Sequence, residues 1–140
     1  MGEILERLPA PARHRLNVDA YSVSVQSPLR LDAYNEPEPD LMLLRPRGDG
    51  YRASHPAAGD VLLLIDVSES SLAYDRSTKL ALYAKFSVPE VWIVDLLAAT
   101  VEVHREPRDG AYASRERFAC GPLAPALVSG ATIDVEALFA

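Results

Sequence analysis

The sequence has little cysteine and no long hydrophobic run, and these absences exclude several classes of protein. Its single cysteine, Cys120, rules out an internal disulfide framework and a zinc site built on cysteines, and is typical of a reducing cytoplasm. No apolar segment approaches the ~18 residues that cross a bilayer, and the first residues lack the apolar stretch of a signal peptide. We therefore expect a cytoplasmic protein with no membrane anchor.

Phosphate-binding glycine loops and the signatures of serine hydrolases are also missing. The seven glycines fit neither a G-x-G-x-x-G nor a P-loop spacing. The serines after residue 67 (Ser68, Ser70 and Ser71) have no nucleophile-elbow glycines around them. The three histidines show no metal-ligand spacing, and His104 is expected to be a solvated side chain on the outer face of a strand.

What is present is the composition of an ordinary globular protein. The 140 residues are 49% hydrophobic and 24% charged, which favours a single domain over residues 1–140 and argues against intrinsic disorder. Residues 1–20 are expected to hold only a short helical region, because Pro9 and Pro11 interrupt it. The net charge of −6 argues against a phosphate-binding surface, unless the acids are gathered at a cation site.

Hydrophobic periodicity predicts an α/β protein. A strand is expected from Tyr21, with Val23, Val25 and, after a break at Pro28, Leu29 and Leu31 on its apolar face. The remaining predicted elements are a strand LMLL, a central strand at 61–67 covered on both faces, a helix at 71–86, strands at 91–96 and 100–106, a last strand ASRERF, and a short terminal helix capped by Asp134. The pattern indicates a mixed sheet with a strong helix after its central strand.

Two aspartates stand out by position. Asp40 opens one strand, and Asp66 lies near the end of the most apolar strand, where Leu62 and Leu64 are expected to share its face. An isolated buried charge costs several kcal/mol or more, so Asp66 requires a partner. One interpretation is that both carboxylates share a divalent cation, and hard oxygen ligands suit Mg²⁺. The alternative, with about even odds from periodicity, is that Asp66 caps the next helix or pairs with Lys79.

The predicted helix offers further candidates. Lys79 lies one turn after Asp75, and a solvated surface pair between them is favoured roughly two to one when the lysine is considered by itself. In the alternative interpretation, the Lys79 charge lies over the two carboxylates, orients an attacking water and stabilises the transition state. Tyr83 lies on the same face, where core packing is favoured over a contact with substrate.

The ordered motifs resemble a known family. The strings EPEPDLMLLR and DVLLLIDVSESSLAYDRSTKLALYAKFSVPEVWIVDL resemble the Uma-type family of putative restriction endonucleases, in the PD-(D/E)XK nuclease superfamily, over about residues 22–108. The resemblance implies a restriction-endonuclease-like mixed β-sheet flanked by helices. It matches Asp40 to the P-D aspartate and Asp66 to the strand acid, which is usually glutamate. Ser68 stands where the superfamily pattern has lysine, and Lys79 matches a lysine that has moved to the helix.

The same resemblance implies lesser roles for other residues and a chemistry for the site. Asp75 and Tyr83 match recurrent helix positions. Gln26 lies in the strand before Asp40, where a structural role is favoured over an approach to the site. The leading hypothesis is a Mg²⁺- or Mn²⁺-dependent endonuclease acting on DNA as a homodimer. Asp40, Asp66 and the Val67 carbonyl would hold the metal, and Lys79 would position water. The hypothesis requires the two carboxylates to lie close together with the Lys79 ammonium beside them and not in solvent.

Two other functions remain open. The first is a degenerate nuclease-fold protein that serves as a binding or assembly module. Three features favour it: the negative net charge, Asp66 in place of glutamate, and the short N-terminal region. The second is a phosphoesterase for small nucleotides. The cations expected to meet phosphate are Arg45, Arg47, Arg52, Arg76 and Lys79.

Overall fold

The described part of the chain is organised around one mixed β-sheet. The computed structural model describes residues 22–69, 73–128 and 132–139. The sheet has six strands, in the order in which they occur along the chain. They are β1 (Ser22–Val25), β2 (Leu41–Leu44), β3 (Val61–Ser68), β4 (Glu90–Asp95), β5 (Thr100–Arg108) and β6 (Ala111–Phe118).

One helix explains why the sheet is mixed. All neighbouring strands are antiparallel except β3 and β4, which are parallel. Parallel neighbours need a crossover connection, and helix α1 (Ala73–Lys85) supplies it. The predicted α/β class, the central position of β3 and the helix after it are confirmed, since α1 lies within the predicted range 71–86.

Each face of the sheet buries its own set of apolar side chains. One face packs against the C-terminal segment, which holds β7 (Pro122–Leu123), β8 (Ile133–Asp134) and a 3-10 helix at Val135–Leu138. The other face packs against α1 and the loops around Leu29 and Tyr51. Tyr83 of α1 and Trp92 of β4 are each 1% exposed, so the largest side chains fill opposite sides of the sheet.

A bulge between β2 and β3 changes the predicted strand pattern. Leu43 pairs with Leu63 but Leu44 pairs with Val61, so Leu62 is an extra residue in β3. Leu64 packs in the cluster that includes Tyr83, whereas Leu62 packs in the cluster on the C-terminal side. The prediction that Leu62 shares the face of Asp66 and Leu64 is therefore wrong, because the bulge interrupts the alternation.

The prediction for the outer face of β5 is also wrong. His104 was expected to face solvent, but it is 5% exposed, and Glu102 on the same face is 2% exposed. Helix α1 contacts β5 and β6 and covers this face. The imidazole Nε2 lies 3.2 Å from a carboxylate oxygen of Glu102, so these polar side chains are buried with partners.

Two smaller predictions differ from the structure. Strand β1 ends at Val25, and Gln26 has a φ of 47°, so Leu29 and Leu31 lie in a loop rather than in a strand. Asp134 precedes the 3-10 helix but makes no side-chain capping hydrogen bond. The predicted N-terminal helical region lies outside the described residues. Within residues 22–69, 73–128 and 132–139, no helix is long and apolar enough to cross a membrane.

Candidate active site

The two aspartates singled out in the sequence meet at one edge of the sheet. Asp40 immediately precedes β2, and Asp66 lies two residues before the end of β3. The strands are antiparallel neighbours in which Leu41 pairs with Ile65, so the start of β2 lies beside the end of β3. The antiparallel pairing thus brings together carboxylates that are 26 residues apart in sequence.

Reciprocal hydrogen bonds hold the pair. The Asp40 backbone N–H donates to Oδ1 of Asp66 at 3.1 Å, and the Val67 N–H donates to Oδ2 of Asp40 at 2.7 Å. Each carboxylate therefore accepts from the backbone of the opposite strand, and the two side chains are fixed relative to each other.

The backbone of Val67 is turned toward the same place. In an extended strand, the N–H and C=O of one residue point to the same side, so the Val67 carbonyl points toward Asp40 as its N–H does. The hydrogen-bond ladder of β2 and β3 stops at the Leu41–Ile65 pair. Pro39, two residues before Leu41, has no amide hydrogen with which to extend it. The Val67 backbone therefore faces the Asp40 carboxylate where the ladder stops.

Burial and hydrogen bonding set the charge of Asp66. The residue is 6% exposed, and this desolvation raises its pKa above the ordinary value. The nearby charge of Asp40 also raises the pKa, while the Asp40 N–H, the Lys79 charge and the Tyr83 hydroxyl lower it. The Tyr83 hydroxyl donates to Oδ2 of Asp66 at 3.1 Å, and burial raises the pKa of this phenol as well. Tyr83 therefore combines the predicted core packing with a direct contact to the site.

Lys79 lies close enough to act on Asp66 electrostatically but does not contact the carboxylates. It is one turn before Tyr83 on α1, and its charge lowers the pKa of Asp66. The side chain is exposed, and it forms no ion pair within 4.0 Å with an acid whose side chain is described. The expectation of an ammonium packed beside both carboxylates is not met. The alternative pairing with Asp75 concerns a side chain outside the described part.

Arg76, which the sequence assigned to substrate phosphate, instead binds buried acids beside this site, and sequence reasoning missed these partners. Arg76 of α1 donates to Glu102 Oε2 at 2.9 Å and to Asp95 Oδ2 at 3.3 Å. Its Nη2 also lies 3.5 Å from Oγ of Ser68, two residues after Asp66. One signal could have revealed these contacts: Arg76 precedes Tyr83 by two helical turns and shares its face.

Comparison with known proteins identifies the family. Residues 2–136 match the Uma2 family, described as "Putative restriction endonuclease". The chain belongs to the Uma2 family. No curated protein matches this chain.

A solved structure supports the fold of this Uma2-family chain. It is a crystal structure of a putative nuclease belonging to DUF820 from Anabaena variabilis, with a TM-score of 0.67 and 14% sequence identity. The alignment covers 99% of this chain and 81% of that one. The expected restriction-endonuclease-like fold is thereby confirmed.

Most of the arginines predicted to meet phosphate lie elsewhere in the Uma2-family chain. The loop from Arg45 to Arg52 joins the end of β2 to β3, which is the opposite end of these strands from Asp40 and Asp66. Nε of Arg45 donates to a backbone carbonyl, and Arg47 pairs with Asp49 at 2.6 Å. These side chains stabilise their own loop.

The lesser candidates differ in how close they come to the pair. The Gln26 N–H donates to the Asp40 carbonyl at 3.1 Å, but its side chain is exposed. Gln26 thus touches the site through its backbone, immediately after β1 and not within it. Ser68 is half-buried beside Arg76. The Asp75 side chain lies outside the described part.

The donor set of this Uma2-family site fits a small divalent cation. Two carboxylates and one backbone carbonyl supply only oxygen, the ligand type preferred by Mg²⁺, which retains water and substrate in its remaining positions. No cluster of three or more His, Cys, Asp or Glu side chains suited to a metal occurs in the described ranges. The fit therefore depends on the Val67 carbonyl together with Asp40 and Asp66.

Proposed function

We propose that this Uma2-family chain is a Mg²⁺- or Mn²⁺-dependent endonuclease that hydrolyses phosphodiester bonds in DNA. The observation that carries the proposal is the hydrogen-bonded pair of Asp40 and Asp66 at one sheet edge, facing the Val67 backbone. Family membership supports a nuclease, since the family is described as "Putative restriction endonuclease". The exposed free Cys120 is consistent with a reducing cytoplasm.

The proposal gives each group at the sheet edge a role. Asp40, Asp66 and the Val67 carbonyl would hold the cation, which supplies Lewis-acid stabilisation of the phosphoryl oxygens when bound. Tyr83 orients the Asp66 carboxylate through its hydroxyl. Lys79 does not lie beside the carboxylates as the sequence-based hypothesis required; it is exposed one helical turn before Tyr83, so the proposal gives its ammonium a role toward the substrate phosphate.

The reactants of this hydrolysis are water and the diester. The water oxygen forms a bond to phosphorus and gives up one proton, while one phosphorus–oxygen ester bond breaks and the leaving oxygen takes up one proton. The Lys79 ammonium stabilises the negative charge that develops on the phosphoryl oxygens. Cutting both strands of a duplex requires two such sites, for which a homodimer is the simplest arrangement.

A plasmid assay with direct metal binding tests the proposal. Wild-type protein is expected to nick supercoiled plasmid with Mg²⁺ or Mn²⁺ and not with EDTA. Asp40→Asn and Asp66→Asn are expected to lose metal binding in calorimetry, and cleavage with it. Lys79→Met should bind metal normally and cleave at least about 100-fold more slowly. Lys85→Met, at the C-terminal end of the same helix, is the matched control and should retain cleavage.

A non-catalytic binding or assembly module is the second candidate. The exposed Lys79, out of contact with the carboxylates, and the net charge of −6 favour it. Folded wild-type protein that binds neither Mg²⁺ nor Mn²⁺ would refute the nuclease and leave this candidate. Turnover of small nucleotide esters without DNA binding would instead indicate a phosphoesterase.

A further inference from the structure

We propose that Arg76 is a positioning residue for the nuclease reaction, holding α1 in the orientation that sets where Lys79 lies relative to Asp66. The inference rests on the proposed function, because it assigns Lys79 its place in that reaction. In this role Arg76 acts through the helix and does not touch the substrate.

The contacts of Arg76 join α1 to the two strands beyond Asp66. Its Nη1 bonds to Glu102 on β5 at 2.9 Å, and its Nη2 bonds to Asp95 at the end of β4 at 3.3 Å. The acid side chains are 3% and 10% exposed, so the ion pairs are shielded from water. Because two carboxylates neutralise the guanidinium, Arg76 is poorly suited to bind a phosphate.

Tyr83 provides a second attachment of the same helix. Its hydroxyl bonds to Asp66, seven residues after Arg76, which is about 10 Å along a helix axis. At about 100° per residue, the side chains at 76 and 83 point in nearly the same direction, and Lys79 leaves the helix between them on one flank. Apolar packing holds α1 against the sheet, and these two polar attachments, about two helical turns apart, fix its rotation and its position along the sheet.

The geometry of the guanidinium suits this role. Two terminal nitrogens reach carboxylates on different strands, while the buried Nε has no hydrogen-bond partner in the described part of the chain. A lysine at this position retains the charge but cannot present a planar fork to both acids. Arg76→Lys is therefore expected to restore part of what Arg76→Gln loses.

The first test locates Lys79 without any cleavage. The chain has only two lysines, Lys79 and Lys85, so reductive ¹³C-methylation yields two lysine signals besides the amino terminus. In wild-type protein, Mn²⁺ is expected to broaden the Lys79 signal far more than the Lys85 signal. In Arg76→Gln, with Mn²⁺ affinity within about twofold of wild type, broadening of Lys79 should fall toward that of Lys85.

The second test separates positioning from folding. For Arg76→Gln, we expect kcat to fall about 10- to 100-fold while the Kd for Mg²⁺ stays within about twofold, because a displaced group slows chemistry. Arg76→Gln should cause no further loss in a Lys79→Met background, since it acts through that lysine. If Arg76→Gln does not fold, the triple variant Arg76→Met, Asp95→Asn, Glu102→Gln removes the charges together and should show the same two losses.

The outcomes separate this inference from the proposed function. Unchanged broadening of Lys79 and unchanged kcat in folded Arg76 variants would overturn the positioning role, as would independent losses in the double variant. Wild-type protein that shows the Lys79 broadening but no cleavage would refute the nuclease, while the broadening in Arg76→Gln still decides the inference. If Mn²⁺ broadens neither lysine in the wild type, both proposals fail.

Discussion

Tyr83→Phe isolates one hydrogen bond at the candidate site. The substitution removes the hydroxyl that donates to Oδ2 of Asp66 at 3.1 Å. It leaves the aromatic ring, which packs in the apolar cluster between α1 and the sheet. Tyr112→Phe is the matched control, because its hydroxyl donates to the neutral backbone carbonyl of Val88 at 2.7 Å.

The structure gives the expected magnitudes. A hydrogen bond to a charged group contributes about 1.5–3 kcal/mol, and one between neutral groups contributes about 0.5–1.5 kcal/mol. Asp66 is 6% exposed, so water does little to replace the lost donor. We expect Tyr83→Phe to lower the free energy of unfolding by about 2 kcal/mol at pH 8, and Tyr112→Phe by about 1 kcal/mol.

The two losses should respond differently to pH. Burial raises the pKa of Asp66, so the folded protein binds this proton more readily than the unfolded chain, and ionisation of Asp66 lowers stability as pH rises through the folded pKa. Tyr83 favours the ionised form, so removing it raises that pKa further. The loss in Tyr83→Phe is therefore largest above the pKa of Asp66 and shrinks as pH falls through it. The loss in Tyr112→Phe should not change.

Urea unfolding in EDTA, followed at several pH values from 8 down to the acid limit of folding, measures both variants. EDTA matters because a bound cation would compete with the proton at Asp66. Equal losses in both variants, with no dependence on pH, would refute the argument that Tyr83 stabilises an ionised Asp66.

Two further predictions concern other buried charges. Arg105→Ala should lower the free energy of unfolding by about 3 kcal/mol in urea, because Glu90, 1% exposed, is left without its cation. Arg47→Ala removes the exposed pair with Asp49 and should cost clearly less than Arg105→Ala; similar losses for the two variants would contradict the difference in burial. Burial lowers the pKa of His104 from 6.5, so the folded protein binds fewer protons than the unfolded chain and stability falls as pH drops below that value. His104→Gln should remove this contribution to the pH dependence of the free energy of unfolding between pH 7.5 and 5. An unaltered pH dependence would show that His104 does not cause it.

The sequence was sufficient where local patterns decide the structure. Asp40 and Asp66 could be assigned to neighbouring strands because each ends or opens an apolar run, and β2 and β3 do pair. The helix after β3 followed from its 3.6-residue period, and α1 begins and ends close to the predicted positions.

Contacts between distant elements could not be read in the same way. The bulge that turns Leu62 away from Leu64 arises from how β2 pairs with β3 and has no local signal. Glu102 alternates with valines as a solvated strand residue would, yet α1 covers it. Arg76 was predicted to face phosphate. This prediction failed because its partners, Asp95 and Glu102, lie 19 and 26 residues away, and only the folded chain brings them to it.

The absence of an amide hydrogen at Pro39 has a consequence for the evolution of such a protein. Any other residue at this position would carry an N–H beside the point where the β2–β3 ladder stops. A donor that reached the Val67 carbonyl would lengthen the sheet by one bond and occupy an oxygen that the proposed metal requires. Loss of catalysis and gain of stability could thus arise from the same single substitution, which gives a nuclease of this fold a short mutational route to becoming a purely structural protein.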